Sequence, residues 1–298
     1  VLQSSLVLFD VFAPTGRAAP VVVEVPHAGL ALDPESLSYC IAPACALGQD
    51  ADLYVDELYS GATALGATVL VSRLSRYACD LNRAEDDLDS LTTARGTAAA
   101  APHGVVWRRT TSGRPALVAP LSATEIERRL REIYRPYHQT LERLLAEKQA
   151  KFGHVVLLCA HSMPSSGRLG ERRADVVPGT RGRTTAGPAV LTTLEQAAAA
   201  ADFDVIHDDP YRGGFTTGHH GRPRESRHAI QVELARRTYM DETSLAKTAS
   251  FAKTEAFCLD LVERLGRLEG PQIDVLPRDS ARTQGSGAAE PLENRPAR

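Results

Sequence analysis

Lysine is nearly missing from this sequence. Four Lys stand against thirty Arg in 298 residues, so a cationic clamp for a carboxylate is expected to be an Arg. Aromatic residues are only 5%, with a single Trp, too few for a surface that stacks bases. The formal charge of −3 leaves no basic footprint, so no nucleic-acid partner is expected. No apolar run nears the roughly 20 residues of a membrane span, and no membrane contact is expected. Residues 1–5 carry neither a charged region nor a long apolar stretch, so no secretory leader is expected in them. The five Cys are odd in number and scattered, and none forms a C-x-x-C pair. They read as small buried hydrophobes of a cytoplasmic, reducing compartment. What is present is an ordinary globular balance, 43% hydrophobic and 24% charged, with enough chain for a substantial core.

Apolar runs alternate with amphipathic stretches. Val21–Val25 is a β-branched run stopped by Pro26 and reads as a buried strand. Residues 52–65 place Val55, Leu58, Tyr59, Ala62 and Leu65 at helical spacing, closed by Gly66. Strands are expected at 67–72, 154–159, 203–207 and 229–234. Ser122 and Glu125 form a capping box before a long helix that Pro136 should kink or split. Further helices are expected at 188–201 and 245–268. Strand and helix in alternation imply an α/β fold, a twisted mixed sheet covered on both faces. One catalytic domain is expected over 1–269, with a disordered tail over 270–298, where Pro, Gly, Ser and charge replace apolar periodicity. Long connections over 83–121 and 162–187 are of a length that usually carries function.

In an open α/β sheet the ligand crevice lies at the carboxyl ends of the strands. The strand at 21–25 is followed by His27 and the strand at 154–159 by His161. Two neutral imidazoles at neighbouring strand ends suit a zinc ion. A carboxylate would complete the set: Asp52, which alone would read as a helix N-cap, or Asp56 one turn later. Glu233 alternates with Ile230, Val232 and Leu234 on a buried strand. A carboxylate there is costly unless paired, protonated or close to a metal. It is either a general base that activates water or the partner of Arg227 or Arg236. Asn82-Arg83 combines an amide donor with a planar guanidinium and suits a substrate carboxylate, unless Arg83 pairs with Asp80 or Glu85. The glycine-rich stretch from Gly213 to Gly221 carries His219 and His220 and reads as a flexible substrate-side element. His219 is the reserve choice of base.

Together these segments resemble the N-formylglutamate amidohydrolase family. The matching pieces are Val25-Pro26-His27-Ala28-Gly29, Asp50-Ala51-Asp52 with Val55-Asp56, and Ser75-Arg76-Tyr77 running into Asp80-Leu81-Asn82-Arg83. Further on come Tyr134-Arg135-Pro136-Tyr137-His138, Ala160-His161-Ser162, Gly213-Gly214-Phe215-Thr216-Thr217, Gly221-Arg222-Pro223, and Gln231-Val232-Glu233-Leu234 with Thr238-Tyr239-Met240. They cover about residues 6 to 268 in order. The resemblance implies a zinc-carboxypeptidase-like architecture and hydrolysis of N-formyl-L-glutamate to glutamate and formate in histidine breakdown. It implies one divalent metal, zinc, at His27, Asp52 and His161. Glu233 would be the general base, with His219 beside it, and Asn82, Arg83, Arg76, Gly214 and Thr216 the substrate-binding set. The alternatives are a deacylase or carboxypeptidase-like hydrolase on another N-acyl amino acid, and a non-catalytic binding homologue. One departure stands out. Where the resemblance implies Thr-Arg-His-Tyr-Gly, this chain has Thr217-Gly218-His219-His220-Gly221. A cation is lost there, with Arg212, Arg222 or Arg224 as candidate replacements. Without a replacement, the vacated volume would shift specificity away from formylglutamate.

Overall fold

Six strands make one sheet in a computed structural model that describes residues 7–88 and 103–270; the tail expected over 270–298 lies outside them but for its first residue. The strands are β1 (Phe9–Phe12), β2 (Val21–Val25), β3 (Thr68–Ser72), β4 (Val155–Met163), β5 (Val176–Gly179) and β6 (Arg227–Ala235), in the spatial order β1-β3-β2-β4-β6-β5. β3, β2, β4 and β6 run parallel, and the two edge strands are antiparallel. The expected mixed sheet is therefore found. Its four central strands are buried throughout, as continuous apolar, β-branched runs between two layers require.

The helices are α1 (Pro34–Tyr39), α2 (Ala44–Asp50), α3 (Val55–Leu58), α4 (Ala123–Arg129), α5 (Arg135–Phe152), α6 (Pro188–Ala200), α7 (Phe215–His220) and α8 (Phe251–Gly266). One face of the sheet packs Val21, Val23, Val156, Leu158, Ile230 and Val232 against α3, α6 and α8. The other packs Val22, Leu70, Leu157 and Ala229 against α4 and α5. β2 pairs with both β3 and β4; the crossover from β2 to β3 packs α3 on one face, and the crossover from β3 back to β4 packs α4 and α5 on the other. The strand order reverses there, so the carboxyl ends of β2 and β4 open into a crevice. None of the described helices is long and apolar enough to cross a membrane.

Several expected elements take a different form. The helix expected over 52–65 is broken into α3 and a 3-10 turn at Ser60–Thr63. The helix expected to kink or split at Pro136 is interrupted just before it. The chain widens into a π-helical turn at Leu130–Tyr134 and resumes as α5 with Pro136 in its first turn, where a missing N–H costs nothing. The strand expected at 203–207 reduces to a single bridge from Val205 to Val176. All five Cys are free; Cys79, Cys159 and Cys258 are buried as expected, while Cys45 is exposed.

Candidate metal and hydrolase site

β2 ends at Val25 and the chain turns at Pro26, which brings His27 over the crevice. The segment after α2 folds back across this end, and the Asp52 N–H donates to the His27 carbonyl at 3.0 Å. Asp52 is not an N-cap. α3 starts three residues later, behind Tyr54 in the left-handed region at φ 65°, and no side chain caps it. The Asp52 carboxylate is thus free to face the imidazoles. Its Oδ2 lies 3.0 Å from His161 Nδ1 and 3.5 Å from His27 Nδ1. Asp56, the reserve ligand, points away and lies 3.5 Å from Arg73.

His161 is not past a strand end, as expected, but inside β4, which continues to Met163. That extension puts His161 in register with Glu233 on the adjacent parallel strand. One ligand atom each from His27, Asp52 and His161 lies within 4.8 Å of the others, and all three residues are buried. This donor set suits a divalent transition metal. One further observation favours such an ion. His27 Nε2 faces Asp80 Oδ1 at 2.8 Å, which leaves Nδ1 buried without a hydrogen-bond partner. A carboxylate behind one ring nitrogen and a bare second nitrogen is the arrangement of a metal-bound imidazole.

Asp80 therefore serves His27 rather than Arg83. Its Oδ1 also accepts from the Asn82 N–H at 2.9 Å, and its Oδ2 from Trp107 Nε1 at 2.9 Å. Sequence reasoning missed this role because the partners lie 53 and 27 positions away. Burial would raise the Asp80 pKa, but His27, Arg76 and Arg83 outweigh it and hold the carboxyl far below the usual range. Asp52 behaves alike. Burial is overcome by the hydrogen bond from His161, by the His27 ring beside it and by the charge of Arg76. Arg76 lies over the Trp107 ring at 4.9 Å and 3.5 Å from Asp52 Oδ2. Arg236 bridges the Gln49 and Ala51 carbonyls at 2.6 and 2.7 Å and reaches Ser162. Arg227, the other candidate partner of Glu233, pairs with Glu142 instead.

His27, Asp52, Arg76, Asp80, His161 and Arg236 line one cavity of about 380 Å³, which also includes Asn82, Arg83, Tyr211, Arg212, Gly214, Gln231 and Glu233. Glu233 is 5% exposed. Burial, with the negative charge of Asp52, pushes its carboxyl up to about 8, against an opposing hydrogen bond from Gln231. Thr216 does not line the cavity. It donates through N–H and Oγ1 to Asn82 Oδ1, at 3.1 and 3.0 Å, and so acts through Asn82. Gly214 permits this, because a Cβ there would stand inside the Asn82 amide.

The glycine-rich stretch is not a loose loop but α7, packed on the sheet. His219 is a correction. It sits on the exposed face of α7, its ring stacked on Phe215 at 4.9 Å, outside the cavity lining. Position 218 also stands outside the cavity. A Cβ there would meet the Arg181 guanidinium, so Arg181 fills the volume expected to be vacant. A further buried acid went unnoticed in the sequence. Glu24, at 0% exposure in the middle of β2, lies in one cross-strand row with Cys159 and Gln231. Burial pushes it up to about 7, against hydrogen bonds from Cys159, Thr216 and Tyr137.

The N-formylglutamate amidohydrolase family model matches residues 19–240. The N-formylglutamate deformylase of Pseudomonas aeruginosa is 36% identical over 258 residues, 83% of this chain and 92% of that protein. The enzyme of the same name from Pseudomonas putida is 34% identical over 75% of this chain and 83% of its own length. The crystal structure of N-formylglutamate amidohydrolase from Ralstonia eutropha superposes with a TM-score of 0.81 at 28% identity, covering 88% of this chain and 98% of that one. With the family match spanning most of the chain and those relatives aligned over nearly their full length, this protein belongs to the N-formylglutamate amidohydrolase family.

Proposed function

We propose that this protein hydrolyses the formyl amide of N-formyl-L-glutamate to formate and L-glutamate, using one divalent metal ion, zinc, held by His27, Asp52 and His161. The observation that carries this reading is the buried His-Asp-His cluster sharing one small cavity with Glu233 and with Asn82-Arg83. A divalent cation held there supplies a Lewis acid and a nucleophilic water near neutral pH, and its charge favours the ionised form of nearby carboxyls.

The protein's own residues do the rest. Asn82 and Arg83 hold the α-carboxylate and so fix the scissile amide over the ligand cluster. Arg76, which lies over Trp107 and 3.5 Å from Asp52, offers a guanidinium for the negative charge that develops on the formyl oxygen. Glu233 takes the proton from water and delivers it to the departing amine nitrogen.

The test is release of the free amino acid by purified, zinc-supplemented protein from N-formyl-L-glutamate, beside N-formimino- and N-acetyl-L-glutamate and neutral N-formyl amino acids, with formate measured for the formyl compounds. N-formyl-L-glutamate is expected to show the highest kcat/KM. A preference for the acetyl compound or a neutral amino acid would overturn the substrate assignment.

A further inference from the structure

Gln231 lies two residues before Glu233 on β6, and alternation along a strand puts both side chains on one face of the sheet. It is 4% exposed. Its Oε1 accepts from the Gly214 backbone N–H at 2.8 Å and from Asn82 Nδ2 at 3.1 Å. A backbone N–H can only donate, so the atom facing it must be the amide oxygen, and the orientation of the amide is fixed. Its Nε2 therefore faces Glu233 and donates to Oε1 at 2.7 Å. Among the described residues this is the one side-chain hydrogen bond that Glu233 accepts. Asn82 is fixed in turn, because its Oδ1 takes both donors of Thr216.

A continuous line of oriented amides thus runs from the first turn of α7 through Asn82 and Gln231 to Glu233. The two ends do different jobs. Asn82 and Gly214 wall the part of the cavity assigned to the substrate carboxylate, and Glu233 is the assigned base. We propose that Gln231 is a positioning residue that aims the Glu233 carboxylate and ties that aim to the seat of the substrate carboxylate. This rests on the reading of the site given above. A carboxylate free to rotate about its side-chain torsions loses the alignment that proton transfer needs. The amide of Gln231 removes that freedom, and because its oxygen is held by Asn82 and Gly214, the hold is firmest when those two groups are in place.

The test compares Gln231→Met with Gln231→Glu in the full chain loaded with zinc. Methionine keeps the volume and loses every hydrogen bond. Glutamate keeps acceptors for Asn82 and Gly214 but replaces the donor towards Glu233 with a like charge. Gln231→Glu is expected to keep KM for N-formyl-L-glutamate within about 3-fold while kcat falls at least about 30-fold, since a misaimed base forfeits much of the 10²–10⁴-fold that general-base catalysis supplies. Gln231→Met is expected to lower kcat and raise KM together. A second readout separates positioning from packing. In a Glu233→Gln background, adding Gln231→Met should lower kcat by less than about 2-fold, because the base it aims is already gone. Losses that simply multiply, or a Gln231→Met protein with unchanged kcat and an active wild type, would overturn this proposal alone. A wild type that releases no formate overturns the substrate reading and this proposal with it.

Discussion

Asp80→Asn tests how far the ligand cluster depends on a group that touches no substrate. Three donors converge on this carboxylate: His27 Nε2, the Asn82 N–H and Trp107 Nε1, at 2.8, 2.9 and 2.9 Å. An asparagine has one acceptor oxygen in place of two. Whichever way its amide turns, an NH2 group meets at least one buried donor, and that donor goes unpaired. An unsatisfied buried donor costs about 1–3 kcal/mol. The negative charge that keeps Nε2 protonated and Nδ1 available also disappears. Loss of such a partner behind a ligating histidine typically lowers metal affinity by about 10–100-fold, or roughly 1.4–2.7 kcal/mol. The assay is a zinc titration against a chromophoric chelator, with circular dichroism to confirm the fold. A folded Asp80→Asn protein with unchanged zinc affinity would refute the inference that Asp80 orients His27 for a metal.

Three further outcomes follow from the same geometry. Glu233→Gln should keep its metal, read by elemental analysis, and lose about 10²–10⁴-fold in kcat; near-normal turnover would show that Glu233 is not the base. Arg83→Ala should raise KM for N-formyl-L-glutamate by about 10–100-fold, the worth of a charge-assisted hydrogen bond, while an α-amidated analogue changes little; equal effects on both would assign Arg83 a structural role. Glu24 binds its proton more tightly folded, at about 7, than unfolded, at about 4.5. The folded state then holds more protons between those values, so stability falls as pH rises through that window. Glu24→Gln removes the dependence, and its advantage over wild type in urea unfolding should grow by about 2–3 kcal/mol from pH 5 to pH 8; a gap that stays constant would contradict the shift.

The central sheet was legible because its strands are rich in apolar, β-branched residues, and the alternation that singles out Glu233 also marks Gln231. His27 and His161 could be read from their place after or within such runs. The edge strands β1 and β5 were not legible. Each has four residues and carries no strong periodicity, and each forms by pairing with a strand distant in the chain or already built. The end of β4 was read four residues early. The sheet carries Ala160, His161, Ser162 and Met163 because β6 pairs with them, a tertiary effect that outweighs local preference. Asp52 looked like an N-cap because Asp before an apolar run commonly is one, yet the left-handed turn at Tyr54 removed it from that duty. Arg181 and Gly218 meet only through the fold, so the replacement of one side chain's volume by another could not be read from position 218 alone.

The most direct measurement is the metal content of the purified chain together with its formate release, before and after chelation, in wild type and in His161→Ala. One divalent ion per chain is expected, with activity lost on chelation and restored by zinc, and with neither metal nor activity in the variant. Undiminished formate release from metal-free protein, or full metal occupancy in His161→Ala, would contradict the assignment of His27, Asp52 and His161 as the metal site of this hydrolase.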